Sequence, residues 1–168
     1  MSKPPIITQI VLWFFVLSAG ILFGGSLFEG VVLTPLWAGS LPESVTQWQY
    51  GSIQGRFFMV ATPLYGLFSL GLIIASRWMP PPQRKWALVA GLSGLVVIVA
   101  TSLFFLPILQ KTQATRGAGL SGEEITRLVH QFERWHWGRW ALIIVSWVAG
   151  LRALSLSASV TPRREGAI

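Results

Sequence analysis

The chain has 168 residues, 52% apolar and only 11% charged, and its net charge of +7 comes from 13 Lys and Arg against six Glu and no Asp. A soluble domain carries about 25% charged residues, so most of this surface is expected to face lipid, in keeping with a mean hydropathy of +0.59. The basic residues fall in ones and twos between long apolar runs, unlike the dense clusters of a nucleic-acid binder. The lack of cysteine excludes disulfides, thiolate metal sites, c-type haem attachment and cysteine nucleophiles.

A helix needs about 20 mostly apolar residues to cross a bilayer, and four stretches qualify. The first spans about residues 6–33, with an uncharged core from Ile10 to Phe28. It is longer than the 7–15-residue core of a signal peptide, so it is read as a retained span. The second covers about 57–78 and contains Pro63, whose missing N–H kinks a helix and is expected to open a pocket toward the outer half of the bundle. The third covers about 86–109 and the fourth about 135–156. Runs of this length in lipid must be helical, because every backbone polar group has to be bonded internally. The expectation is an all-α, integral-membrane four-helix bundle over residues 1–156, followed by a frayed tail at 157–168.

The short loop PPPQRKW between spans two and three holds Arg84 and Lys85. Since Lys and Arg are retained on the cytoplasmic side, both termini are expected in the cytoplasm. Trp78 and Trp86 bracket that loop, and Trp37, Trp48, Trp135, Trp137 and Trp140 gather at the opposite interface, where amphipathic rings settle. The connection at 34–56 has room for a short amphipathic helix. The connection at 110–134 offers Ser121 with Glu124 three residues on, a capping box, from which a helix can run unbroken into the fourth span.

With so few ionisable groups, their position is the main clue to chemistry, because charge in a membrane helix faces partners or a wet cavity. Alternating spans bring Glu29, Arg56 and the group His130, Glu133, His136, Arg139 to one rim. Glu29 shares a helical stripe with Ser18, Leu22, Gly25, Ser26 and Leu33, and Gly20 and Gly24 form a small-xxx-small pair suited to close packing. At 100° per residue, His130, Glu133, His136, Trp137 and Trp140 fall within about 120° of one another. Glu29 is expected to pair with Arg56 or Arg139. A metal is the alternative use of the rim. Glu133-x-x-His136 is one copy of a pattern that di-metal bundles use twice, and Glu29 and His130 would complete a mixed nitrogen and oxygen set suited to zinc, iron or manganese. The bland alternative is a non-catalytic subunit, or ligand-binding partner, docked in a larger membrane complex. No polar stripe runs the depth of the bilayer, which argues against a transporter, and no Gly-x-Ser-x-Gly elbow appears.

Several short motifs taken together resemble the family of small four-span membrane proteins grouped around the anthrone oxygenases. They are SLFEGVVLTPLW with Glu29 and Pro35, then Trp48, then Arg56 ahead of Pro63, then TSLFFLP with Thr101 and Pro107, and finally FERWHWGRWAL with His136 and Arg139. The resemblance covers about residues 10–155. Two departures stand out, Leu109 in place of the family's asparagine and a longer spacing between the acid and the proline. The resemblance implies a protein of the bacterial inner membrane that oxidises a hydrophobic aromatic with O₂ and no organic cofactor, turning an anthrone into an anthraquinone. It further implies His136 as base, Glu29 orienting it or relaying protons, Arg56 and Arg139 holding the anion, and Trp48, Trp137 and Trp140 stacking on the flat substrate. The partners so implied are the bilayer, a hydrophobic small molecule and a second copy or membrane complex, with no nucleic acid.

Overall fold

The computed structural model describes residues 5–47, 54–114 and 118–158, which are helical apart from short turns. Four long helices dominate: α1 (Ile6–Ala38), α3 (Gln54–Trp78), α4 (Pro81–Thr112) and α5 (Gly122–Ala158). A short helix α2 (Glu43–Gln47) follows α1, in the connection where one was expected. The four long helices are long and apolar enough to cross a membrane, and the protein is an integral-membrane four-helix bundle. α1 packs against α3 and α5, and α4 against the same two, so the helices stand in the ring order α1, α3, α4, α5.

Helix ends differ from the expected spans for local reasons. The basic PPPQRKW segment is mostly helix: α4 starts at Pro81 with prolines in its first turn, where an absent N–H removes nothing. At the other end of the bundle, Glu124 N–H donates to Ser121 Oγ at 3.2 Å and Ser121 N–H to Glu124 Oε2 at 3.1 Å, the expected capping box. From it α5 runs 37 residues without a break, about 55 Å at 1.5 Å per residue. That exceeds the roughly 30 Å of a hydrocarbon core, so part of the helix stands clear of the membrane. Residues 157 and 158, expected in the frayed tail, instead end α5, and the rest of that tail lies outside the described residues.

The bundle has two cores. The larger, within the membrane, joins Leu12, Phe15, Ala19, Tyr65, Leu72, Ala90, Val97 and Ile143. Glycines let α3 and α4 approach closely there: a Cβ on Gly91 would lie 2.9 Å from the Ser69 carbonyl oxygen, and one on Gly94 would overlap Ser69 Oγ. Gly20 packs on the Trp147 ring, whereas Gly24 faces open space, so the expected Gly20–Gly24 pair does not act as a unit. The smaller core sits toward one end of the bundle and joins Trp37, Val45, Phe105, Ile108, Leu109, Ile125, Val129 and Phe132. It fastens α2 and the free end of α5 over the rim. Trp37, placed by sequence in the interfacial belt, is instead 1% exposed, edge-on to Phe132. Pro63 lies on an exposed face of α3 and borders neither of the two cavities that flank α5. Neither of those cavities is thus the pocket expected beside Pro63.

One polar chain crosses the apolar interior. Tyr65 Oη donates to Ser146 Oγ at 2.6 Å, and Ser146 Oγ donates to the Ala90 carbonyl at 2.7 Å, linking α3, α5 and α4. Interhelical hydrogen bonds in membranes contribute about 0.6–1.7 kcal/mol each. Tyr65→Phe should lower stability by about that amount, read as a lower melting temperature in detergent. Ser146→Ala, which breaks both bonds, should cost more.

Candidate functional site

The site begins with two prolines. Pro35 and Pro107 lack the N–H that would bond the carbonyl four residues back, and their rings crowd that carbonyl. Each preceding turn widens in response. Residues Glu29–Leu33 form a π turn closed by Thr34 N–H to the Glu29 carbonyl, and Thr101–Phe105 form another closed by Leu106 N–H to the Thr101 carbonyl. Such single π turns recur at functional sites. The first begins with Glu29 and the second ends at Phe105, whose ring lies 6.4 Å from that of His136.

Glu29 is 2% exposed. Its Oε2 accepts from Arg139 Nη2 at 2.9 Å, and its Oε1 accepts from Gln54 Nε2 at 3.4 Å. Arg139 Nη2 also reaches Ser26 Oγ at 3.5 Å, and its guanidinium carbon stands 4.8 Å from the centre of the Phe105 ring. The sequence left Glu29 two partners, and the structure selects Arg139. Arg56 is exposed and is not brought to the site. Gln54, which sequence reasoning missed, takes its place. Gln54, Ala61 and Tyr65 are all buried and recur at helical spacing, while Arg56 lies about 200° round the helix from Gln54; that periodicity was the available signal.

His136 is buried beside this pair. Its Nε2 lies 3.4 Å from the Ser26 carbonyl oxygen, an acceptor only, so Nε2 carries the proton and Nδ1 keeps its lone pair. Nδ1 has no partner among the described residues, and neither do the buried Trp140 Nε1 and Thr34 Oγ1. Buried polar groups are nearly always paired. Here three unpaired atoms belong to residues lining one cavity of about 140 Å³, completed by Gly30, Phe132, Glu133 and Trp137. Its size is close to the roughly 150 Å³ that holds a benzene ring in an engineered protein cavity. Gly30 keeps the cavity open, because a Cβ there would overlap the Trp140 ring and lie 3.3 Å from His136 Nε2.

Of the residues named from sequence, His136, Trp137 and Trp140 share this cavity, and Glu29 and Arg139 form its buried neighbour. Trp48 lies outside the described residues. The four candidate metal ligands are not gathered. Glu29 is engaged by a guanidinium, and His130 Nδ1 and Glu133 Oε2 pair with each other at 3.1 Å on the exposed side of α5. No group of three or more His, Cys, Asp or Glu positioned to hold a metal ion occurs among the described residues.

Fold and site together define a four-span membrane protein with a buried acid–arginine pair beside a histidine-lined cavity. Residues 45–149 match the family model described as anthrone oxygenase, and the chain belongs to that family. The matched stretch contains Arg56, His136 and Arg139, while Glu29 and Gly30 precede it. No curated protein and no solved structure matches the chain.

Removing one member of a buried ion pair leaves an uncompensated charge and costs about 3–5 kcal/mol, whereas replacing both by apolar residues is often neutral. Glu29→Leu and Arg139→Leu should each lower the melting temperature in detergent sharply. The double variant should recover most of the loss.

Proposed function

We propose that the protein is a cofactor-independent membrane oxygenase acting on a hydrophobic hydroxyaromatic of the anthrone type, with His136 Nδ1 as the base. The observation that carries this reading is three unpartnered polar atoms, His136 Nδ1, Trp140 Nε1 and Thr34 Oγ1, on residues that line one ring-sized cavity. A hydroxylated ring can enter with its oxygen accepting from the Trp140 and Thr34 donors, while the rest of a flat polycycle lies along the exposed Trp137. Family membership supports the reaction class.

The chemistry asks little of the protein. His136 takes a proton from the substrate, leaving a delocalised anion whose oxygen the Trp140 and Thr34 donors stabilise. This anion reduces O₂ directly. A carbon–oxygen bond forms at the reacting methylene carbon, and the resulting peroxide recovers the proton from His136. The O–O bond then breaks as the remaining C–H proton departs. One oxygen stays as the new carbonyl, and the other leaves as water with both methylene hydrogens. Arginine is not needed to hold the anion, since Arg139 is already neutralised by Glu29. Glu29 instead serves as a positioning group, because through Arg139 it keeps α1 against α5 and so keeps the Ser26 carbonyl opposite His136 Nε2.

The retention of Lys and Arg on the cytoplasmic side supports cytoplasmic termini and a cavity in the outer half of a bacterial plasma membrane, with substrate arriving through the lipid. A single copy contains the residues this chemistry uses, and a homo-oligomer would repeat the site.

The test is O₂ uptake and quinone absorbance with 1,8-dihydroxyanthrone, after subtraction of the spontaneous rate. General-base removal costs about 10²–10⁴-fold, so His136→Ala should lower kcat by at least about 100-fold. Gly30→Val should abolish turnover by filling the cavity. Undiminished turnover by folded His136→Ala would overturn the mechanism.

A further inference from the structure

The flank of α5 that faces α4 holds a cleft of about 390 Å³, which the chemistry at His136 does not use. Small residues and one widened turn leave it open. Ala100 is the last residue before the π turn Thr101–Phe105, and a Cβ on Gly138 would meet nothing within 4 Å. The two helices run in opposite directions, since Phe104 meets Trp135 near one end of the bundle and Gln83 bonds the Ala153 carbonyl near the other. Phe104 and Trp135 therefore mark the rim end of the cleft, and Val97 and Leu142 its inner end. On α5, Arg134, Gly138 and Leu142 recur every four residues and form one stripe, about 12 Å long at 1.5 Å per residue.

The chemistry changes in order along that stripe. At the rim end stands Arg134, exposed and in no ion pair among the described residues. Beside it the Phe104 and Trp135 rings meet edge-to-face at 4.9 Å. Further in, Gly138, Ala100, Val97 and Leu142 offer no polar side chain. Arg139, the remaining polar member of the lining, is turned to Glu29. A cation, then an amphipathic ring of the kind that settles at headgroup level, then an aliphatic wall follows the order of a phospholipid from phosphate to acyl chain. Phe104, Trp135 and Gly138 are exposed on the flank of a bundle that lipid surrounds, so one chain can enter sideways while the second stays in the bilayer. Charge selects the headgroup. A guanidinium forks onto phosphate oxygens, and a choline or ethanolamine head brings its own cation to compete for them, whereas a head with net negative charge does not.

We infer that the cleft between α4 and α5 binds one anionic phospholipid, with its phosphate on Arg134 and the upper part of one acyl chain along Ala100, Gly138 and Leu142. The site takes a different class of molecule from the His136 cavity and does not rest on the reaction proposed there.

The protein in phosphatidylcholine nanodiscs, titrated with phosphatidylglycerol whose acyl chains are dibrominated, tests this through tryptophan fluorescence. Brominated chains quench an indole on contact. Boundary lipid quenches in proportion to its mole fraction, whereas a preferred site saturates early. The expected result is an early saturating component that brominated phosphatidylcholine does not produce and that disappears in Trp135→Phe. Arg134→Gln should weaken it about fivefold, the factor equivalent to about 1 kcal/mol per basic residue at a membrane surface. Arg134→Lys should keep most of it, which identifies charge as the cause. Gly138→Leu and Ala100→Leu fill the apolar part from either helix. Each, melting as the parent does, should lose the saturating component and keep any His136-dependent turnover. Saturation retained in both would refute the placement of the chain. A component undiminished in Trp135→Phe or Arg134→Gln would overturn the site and move the binding to Arg77, Arg84 and Lys85 at the opposite end of the bundle. Equal saturation by phosphatidylcholine would overturn the need for net negative charge. Palmitate displacing the brominated lipid more strongly than unbrominated phosphatidylglycerol would overturn the choice of a phospholipid. Absence of any saturation in the unaltered protein would remove the site.

Discussion

The Glu29–Arg139 pair is the constraint on which the rest of the molecule depends. In a low-dielectric interior neither charge is tolerable alone, so α1 and α5 must meet at this height and in this rotation. The rest of the site is a consequence of that contact. Ser26, one turn before Glu29, is brought to both Arg139 and His136, and its carbonyl fixes which imidazole nitrogen keeps a lone pair. Gln54 occupies the second carboxylate oxygen, which ties the start of α3 to the same point. One ion pair thereby registers three of the four membrane helices.

The helices themselves are not ideal at this level, and the reason is covalent. A regular α-helix cannot pass Pro35 or Pro107 without losing a hydrogen bond and meeting a carbonyl. The π turns before them keep the backbone bonded by reaching one residue further back. An extra residue in a turn rotates the remainder of the helix by about 100°. Glu29 can then face α5 within the membrane while Thr34 and Trp37 still point inward beyond it. A straight α1 would carry one of these groups into lipid. The widened backbone and Gly30 together leave the gap that becomes the ring-sized cavity.

What was legible in the sequence depended on how local its cause was. Hydropathy gave the spans, and the Ser121–Glu124 spacing gave the start of α5. Helical periodicity put His136, Trp137 and Trp140 on one cavity, and scarcity of charge pointed to Glu29. Proximity in sequence to a membrane end was a poorer guide. Arg56 has the right charge at the right height yet the wrong face, and helical phase favoured Gln54. Trp37 reads as an interfacial ring because its neighbours do, but the small outer core that buries it depends on α2 and α5 converging from distant parts of the chain. The cavities were beyond reach for the same reason, since empty volume is set by side chains from several helices at once.

That outer core also bears on how the site is reached. Trp37, Val45, Phe105, Val129 and Phe132 form an apolar cluster of rings and valines against the wall of the His136 cavity. Phe132 belongs to both the cluster and the cavity wall. Under the proposed function, water kept from this part of the cavity would strengthen each hydrogen bond made there. Trp137, by contrast, is 70% exposed and lines the same cavity. On the same proposal, that open indole marks the side from which a lipid-soluble substrate would reach His136.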